Sequence, residues 1–198
     1  IWSYPLTQDI WIRGGAMNNG GLVTSWLSKN FSHTRDTSLE AFQEMLDTAE
    51  KISPGSDGLL FLPYLFGERA PIYDEHARGV FFGLHSDHER GHFARAGLEG
   101  ILYALYSIYE ILQNSQEQTH EIRATGGYLQ SGLMLQIQAD IFGQPIRIPS
   151  EHESSVIGAA ALGLLALGEI AVFDNIEEHF AITRQFTPNE RSHTIYHE

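Results

Sequence analysis

The sequence has 198 residues, and its 12 Lys and Arg against 25 Asp and Glu give a formal net charge of −13. This charge would repel a phosphate backbone, so nucleic acid is not an expected partner. The chain has no cysteine, which excludes disulfides and thiolate metal sites and favours a cytoplasmic protein. Ile1 to Pro5 is unlike a signal peptide, and the apolar stretch 156–167 is too short to cross a bilayer, so no membrane contact is expected.

The first third of the chain predicts one strand, two helices and a second strand. A short strand from Trp11 runs into Gly14-Gly15, and residues 18–21 open an apolar-periodic helix. Thr37 or Ser38 can cap the second helix. Residues 59–65 form a continuous apolar run, which is typical of a buried strand.

The rest of the chain alternates between strands and helices. The expected elements are a strand at 79–84, a helix at 93–112, a strand with a Gly-Gly turn at 121–127, a helix at 129–142, a strand at 145–148 and a helix at 156–167. This alternation favours a layered α/β domain. The acidic tail beyond Phe173 has weak periodicity, and we expect it to be peripheral.

Two places combine a strand end, paired glycines and a helix start, namely residues 14–21 and 126–131. Backbone amides at such a helix terminus can point at a phosphate, and the missing side chains let a ligand approach closely. The alternative is that the glycines only end strands and permit tight packing. Neither stretch matches the P-loop or the dinucleotide-binding fingerprint, which disfavours two familiar nucleotide folds.

The middle of the chain resembles a family signature. The residues are Gly79-Val80-Phe81-Phe82-Gly83-Leu84 and, after seven more, His92-Phe93-Ala94-Arg95-Ala96-Gly97-Leu98-Glu99. They closely follow the second signature of the FGGY carbohydrate kinases. Gly97 departs from it, since that family usually has Thr, Ala or another small or aliphatic residue there, and the departure is expected to cost the helix up to about 1 kcal/mol. Residues 124–131 and 138–145 resemble the family's adenosine-site segment. Residues 153–160 resemble its Glu-x-x-x-x-Gly-Ala-Ala helix entry.

The resemblance implies an α/β fold of the ribonuclease-H-like, actin-like ATPase type, with a mixed sheet flanked by helices. Residues 1–198 would form the carboxy-terminal, nucleotide-binding half, and the amino-terminal sugar-binding domain would be absent from this chain. The family's general base, an Asp in a Gly-Asp motif, is expected upstream; Asp9 lacks that glycine context, so no catalytic residue is assigned here. The nucleotide-binding residues implied by the resemblance are Gly21, Ser25, Gly126, Gly127 and Ser131.

Two short elements resemble gluconate kinases in particular. They are residues 14–21 and 66–72, completed by 77–79, although xylulose kinases have related forms of 68–71. The resemblance therefore implies ATP-dependent phosphorylation, of D-gluconate to 6-phosphogluconate ahead of xylulose or another sugar. ATP or ADP with Mg²⁺, a sugar acid and the chain's own amino-terminal domain are the implied partners, and a homodimer remains open. A non-catalytic actin-like nucleotide-binding module is the alternative from another class.

Several polar residues have competing interpretations. His85, His88 and His92 could suggest a metal cluster, but they lie in the variable part of the signature and no acidic residue has the spacing of a zinc ligand, so no metal site is predicted. For Asp140, a hydrogen bond that holds its helix is favoured over ligand contact. Glu68 and Arg69 could pair with each other, hold the loop to the missing half, or touch substrate.

Overall fold

The computed structural model describes residues 1–7, 10–113, 119–150, 154–170 and 181–198. The chain divides into two units, which we call unit 1 (Ile1–Thr119 and Glu190–Glu198) and unit 2 (His120–Asn189). Both contain helices and strands, so the predicted α/β class is confirmed. Within the described ranges, no helix is both long and apolar enough to cross a membrane.

The described residues of unit 1 form two antiparallel strand pairs and four α-helices. The pairs are β1 (Trp2–Pro5) with β2 (Trp11–Gly14), and β3 (Leu60–Leu62) with β4 (Val80–Phe82). The helices are α1 (Gly21–Phe31), α2 (Leu39–Glu50), α3 (Arg90–Gln113) and, after unit 2, α6 (Glu190–His197).

Helix α3 is the centre of unit 1 and packs against α1, α2 and β3. Its 24 residues span about 36 Å. Glycines allow two of these contacts, because a Cβ at Gly97 would lie 2.3 Å from Leu27 Cδ2, and one at Gly100 would lie 2.2 Å from the Phe61 carbonyl oxygen. The glycine that departs from the family pattern therefore makes room for the Leu27 side chain of α1 against α3.

Unit 2 is built on a mixed three-stranded sheet. Strand β5 (Ile122–Arg123) pairs in parallel with β6 (Ile146–Pro149), which pairs antiparallel with β7 (Ile182–Phe186). Helix α4 (Gly132–Phe142) packs on β6 and β7, and α5 (Ser154–Leu167) follows β6 in the chain. The core is apolar and consists of Ala124, Leu129, Leu135, Ala139, Ile146 and Ile148.

Most predicted elements are present, with shifted ends. Ser38 rather than Thr37 caps α2, since its Oγ accepts a hydrogen bond from the Ala41 amide at 3.1 Å. The strand expected over 59–65 is confined to Leu60–Leu62. Pro63 has no N–H to donate to a ladder, and its carbonyl accepts the Leu65 amide in a tight turn instead.

The prediction that the carboxy-terminal tail is peripheral was wrong for Tyr196, which is only 5% exposed. Its hydroxyl donates to Glu99 Oε1 at 2.8 Å and accepts from Arg95 Nη2 at 2.7 Å. Its backbone carbonyl accepts the Tyr103 hydroxyl at 3.0 Å. The last helix is therefore held to α3 by polar contacts, which apolar periodicity cannot reveal.

Candidate functional site

The start of α1 carries the first pair of predicted site residues. Gly20 is the N-cap of this helix and has no side chain to cap it, while its carbonyl accepts the amides of Val23 and Thr24 at 3.0 and 3.1 Å. No described atom lies within 4 Å of the position that a Cβ would take at Gly20 or Gly21. One turn later, the exposed Ser25 donates its hydroxyl to the Gly21 carbonyl at 3.0 Å.

The glycines at the other end of the same stretch pack tightly instead. A Cβ at Gly14 would lie 2.6 Å from the Trp2 ring, and one at Gly15 would lie 2.7 Å from Ile108 Cγ2. The close-packing interpretation therefore holds for Gly14 and Gly15. Only the later glycines of this stretch face space that a ligand could enter.

The second glycine pair follows β5 in unit 2. Gly126 has φ +100° and ψ −175°, a conformation that is essentially restricted to glycine. Gly127 opens a 3-10 turn, Gly127–Gln130, and no described atom lies within 4 Å of a Cβ built at either glycine. The pair thus leaves an open backbone surface at the end of a strand.

Ser131, by contrast, is buried and caps a helix. Its Oγ accepts the Met134 amide at 3.2 Å, which satisfies one of the unpaired donors at the start of α4. The structure thus gathers Gly126, Gly127 and Ser131 in unit 2, and Gly21 with Ser25 in unit 1. The nucleotide contacts of all five remain predictions.

A buried carboxylate ties together the two elements that resemble gluconate kinases. Glu68 is 3% exposed, and its Oε1 accepts the backbone amides of Asn18 at 2.7 Å and Arg69 at 2.8 Å. Its Oε2 accepts the Asn19 side-chain amide at 2.9 Å. Three N–H donors therefore stabilise this carboxylate.

Asn19 completes this network and was not predicted as a site residue. Its side chain is fully buried, donates to the Gly67 carbonyl at 2.6 Å and accepts the Phe66 amide at 3.2 Å. Asn19 immediately precedes the N-cap Gly20, so the network fixes the entry to α1. The sequence held one signal for this network. The Asn pair before a helix and the Glu after an apolar run are polar residues that need hydrogen-bond partners if they are buried.

The histidine cluster engages its ring nitrogens in local hydrogen bonds. The Nδ1 atoms of His85 and His88 accept the amides of Asp87 and His85, at 3.3 and 3.2 Å respectively. His92 Nε2 lies 3.2 Å from Asp57 Oδ2. Throughout the described residues, no group of three or more His, Asp or Glu side chains could hold a metal ion.

Asp140 has the structural role that was favoured from the sequence. It is buried, and its Oδ1 accepts the Gln136 side chain and the Asn189 amide, both at 2.8 Å. These bonds join α4 to the segment that follows β7. Glu153, the acidic residue of the helix-entry motif, and Asp9 lie outside the described residues.

Comparison with known proteins assigns the chain to a family. The model for the FGGY family of carbohydrate kinases, C-terminal domain, matches residues 3–167. The chain therefore belongs to the FGGY family of carbohydrate kinases. This agrees with the glycine-rich helix entries and the α/β fold described above.

Relatives of this chain include a gluconokinase, a gluconate kinase and a xylulose kinase. A gluconokinase from Bacillus licheniformis is 38% identical over 99% of this chain and 39% of its own length. The crystal structure of xylulose kinase from Lactobacillus acidophilus superposes with a TM-score of 0.91 at 35% identity, over 99% of this chain and 39% of that one. Gluconate kinase from the same organism gives a TM-score of 0.90 at 36% identity, with the same coverage. The chain spans about two fifths of the length of these relatives.

Proposed function

We propose that this chain is the ATP-holding, carboxy-terminal half of a kinase that phosphorylates a sugar acid, with D-gluconate as the substrate. The observation that carries the proposal is the similarity to a gluconokinase over 99% of the chain. The joined network of Asn18, Asn19 and Glu68 supports it, because it unites the two stretches that resemble gluconate kinases. The chain's own amino-terminal domain would supply the sugar site.

The open glycines would hold the nucleotide. In this proposal Gly127 and Ser131 line the adenosine, Gly126 shapes the turn, and Gly21 with Ser25 approach the phosphates and ribose. The amides at the start of α1 suit an anion, because the first turn of a helix has donors without intrahelical partners. The open positions at Gly21 and Gly127 let the ligand reach the backbone.

In the proposed reaction, the terminal hydroxyl oxygen of gluconate attacks the γ-phosphorus of ATP in line. A new P–O bond forms to the sugar acid, the bond to the β,γ-bridging oxygen breaks, and ADP leaves. The hydroxyl proton passes to a base that this chain does not supply. Positioning and charge neutralisation do most of the catalytic work in such transfers. Mg²⁺ would enter with the nucleotide as MgATP, and because the described residues contain no three-ligand group, we assign no step to it.

Nucleotide titration of the 198-residue chain followed by NMR tests the proposal. We expect weak ATP binding, and we expect Gly127→Val to abolish it without lowering the thermal unfolding midpoint, because the new side chain enters open space. We also expect the chain alone to release no ADP in response to gluconate. ATP binding that survives Gly127→Val, or robust gluconate-dependent ADP release, would contradict the proposal.

A xylulose kinase is the second candidate, favoured by the TM-score of 0.91 with the xylulose kinase from Lactobacillus acidophilus. Both candidates share every nucleotide residue named above and differ in the acceptor. Phosphorylation assays of the full-length protein with gluconate, xylulose and neutral polyols distinguish the two candidates. A non-catalytic nucleotide-binding module would phosphorylate none of these compounds, and its gene would lack the upstream Gly-Asp motif.

A further inference from the structure

The guanidinium of Arg69 is held in place beside the loop that enters α1. Its Nε donates to Asn18 Oδ1 at 2.7 Å, and its Nη2 donates to the Met17 carbonyl at 3.4 Å. Both partners lie within four residues of Gly21, the first residue of α1. The side chain is nevertheless exposed to solvent.

Hydrogen bonds hold together the two loops that carry Arg69 and its partner Asn18. Asn18, whose oxygen orients Arg69, gives its own amide to the buried Glu68 carboxylate at 2.7 Å, and the Arg69 amide donates to the same oxygen at 2.8 Å. The Ala70 amide donates to the Ala16 carbonyl at 3.0 Å, which fastens the two loops at a further point. The Arg69 side chain therefore loses less conformational entropy when it binds an anion, because it is already ordered in the free protein.

Part of the hydrogen-bonding capacity of the Arg69 guanidinium is unused among the described residues, and the neighbouring Glu68 carboxylate bonds the Arg69 backbone amide rather than the guanidinium. Among the described residues, no carboxylate forms an ion pair with it, and its Nη1 has no hydrogen-bond partner. An oriented guanidinium presents a planar set of N–H donors that matches the two oxygens of a carboxylate or a phosphate.

We propose that Arg69 binds an oxyanion of a substrate, either the carboxylate of the sugar acid or the terminal phosphate of ATP. The proposal rests on the proposed function and adds a residue that the nucleotide assignment does not contain. The proposal also gives Glu68 and Arg69 different roles. Glu68 is a buried anchor of the loops, and Arg69 is the exposed binding group.

The test compares Arg69→Gln, which removes the charge, with Arg69→Lys, which keeps the charge but loses the planar fork. Arg191→Gln is the control, because it removes the same charge from an exposed position of unit 1. The full-length protein carrying each substitution is titrated by NMR with four probes: gluconate, sorbitol, ATP and AMP. Thermal unfolding midpoints show that each variant is folded.

Arg69→Gln is expected to raise the Kd of one oxyanion probe at least tenfold, with Arg69→Lys in between and Arg191→Gln unchanged. A loss confined to gluconate, with sorbitol unaffected, identifies the carboxylate. A loss confined to ATP, with AMP unaffected, identifies the terminal phosphate. If the full-length wild-type protein binds nucleotide and its Arg69→Gln variant binds gluconate and ATP as well as wild type, the role of Arg69 is refuted and the proposed function stands. A full-length wild-type protein that binds none of the probes refutes both.

Discussion

Arg95 and Glu99, one turn apart on α3, form a buried ion pair in which Nε lies 2.7 Å from Oε1. Glu99 also accepts the Gly55 amide at 3.1 Å and the Ser56 hydroxyl at 2.8 Å. Burial disfavours the charge of Arg95, but Glu99 and Tyr196 outweigh that effect and raise the pKa of Arg95 above its ordinary value. The last part of the FGGY signature in this chain thus organises the interior of unit 1.

Removal of this carboxylate should therefore be costly. Glu99→Ala leaves Arg95 as an unpaired buried cation and removes the acceptor of Gly55, Ser56 and Tyr196, so we expect a loss of about 3–5 kcal/mol in the free energy of unfolding. Chemical denaturation of the 198-residue chain measures it. Glu50→Gln, at an exposed position of α2, is the control and should change stability by no more than about 0.5 kcal/mol. A comparably small effect for Glu99→Ala would refute the stabilising role of the pair.

Alkaline pH should destabilise unit 1 through Tyr103. Burial and the nearby Glu99 raise the pKa of this phenol above its ordinary value of 10.0. The unfolded chain consequently releases the phenol proton first, so the folded state loses stability as pH rises above about 10. Tyr103→Phe should lower stability by about 1 kcal/mol near neutral pH, through the lost hydrogen bond, and should flatten the decline above pH 10. Denaturation series from pH 8 to 11 compare it with Tyr4→Phe, an exposed position, which should keep the wild-type slope.

Because α1 and β3 pack closely against α3, we expect alanine to lower stability at two glycines of α3, Gly97 and Gly100. A helical Gly→Ala change normally gains up to about 1 kcal/mol. At Gly97 the new methyl would overlap the fully buried Leu27 side chain, and we expect a net loss of about 1–2 kcal/mol. At Gly100 it would meet the Phe61 carbonyl oxygen, which cannot rotate away, so the loss should be larger.

The matched control for both variants is Gly163→Ala on α5, where no described atom lies within 4 Å of the added carbon. This change should be neutral or stabilising by up to about 1 kcal/mol. Denaturation midpoints of the three variants should therefore rank Gly163→Ala highest and Gly100→Ala lowest. Equal midpoints for Gly97→Ala and Gly163→Ala would mean that Leu27 can yield without cost.

The backbone of Gly126 predicts a contrast with its neighbour. Because φ is +100°, Gly126→Ala introduces strain of about 1–3 kcal/mol and should lower the stability of unit 2 by that amount. Gly127→Ala meets no such restriction and should change stability by less than about 0.5 kcal/mol. Hydrogen exchange of the α4 amides reports on unit 2 directly. If both variants showed the same protection, the positive φ of Gly126 would not matter to stability.

Local signals were sufficient for most elements of the fold. Gly14 ended β2 as expected and Ser38 capped α2, whereas β5 ended at Arg123, before the glycines at 126–127. What the sequence could not give was which glycines pack and which lie open. That distinction depends on residues far along the chain, since Gly15 meets Ile108 and Gly97 meets Leu27.

Long-range polar contacts could not be predicted from the sequence either. Tyr196 lies in a short helix of eight residues, too short for an apolar period, and its burial depends on Arg95 and Glu99 about 100 residues earlier. The roles of Glu68 and Arg69 could not be ranked from the sequence, because their partners Asn18 and Asn19 lie about 50 residues away.

The contact between Asn18-Asn19 and Glu68-Arg69 also bears on how such chains descend from one another. A kinase that exchanged one of these stretches alone would leave a carboxylate or an amide buried without its partner, at a cost of about 1–3 kcal/mol. The two stretches are therefore expected to be inherited as a pair. Their presence in this chain is therefore one line of support for gluconate specificity, not two independent ones. Other kinases of this kind are expected to carry both stretches together.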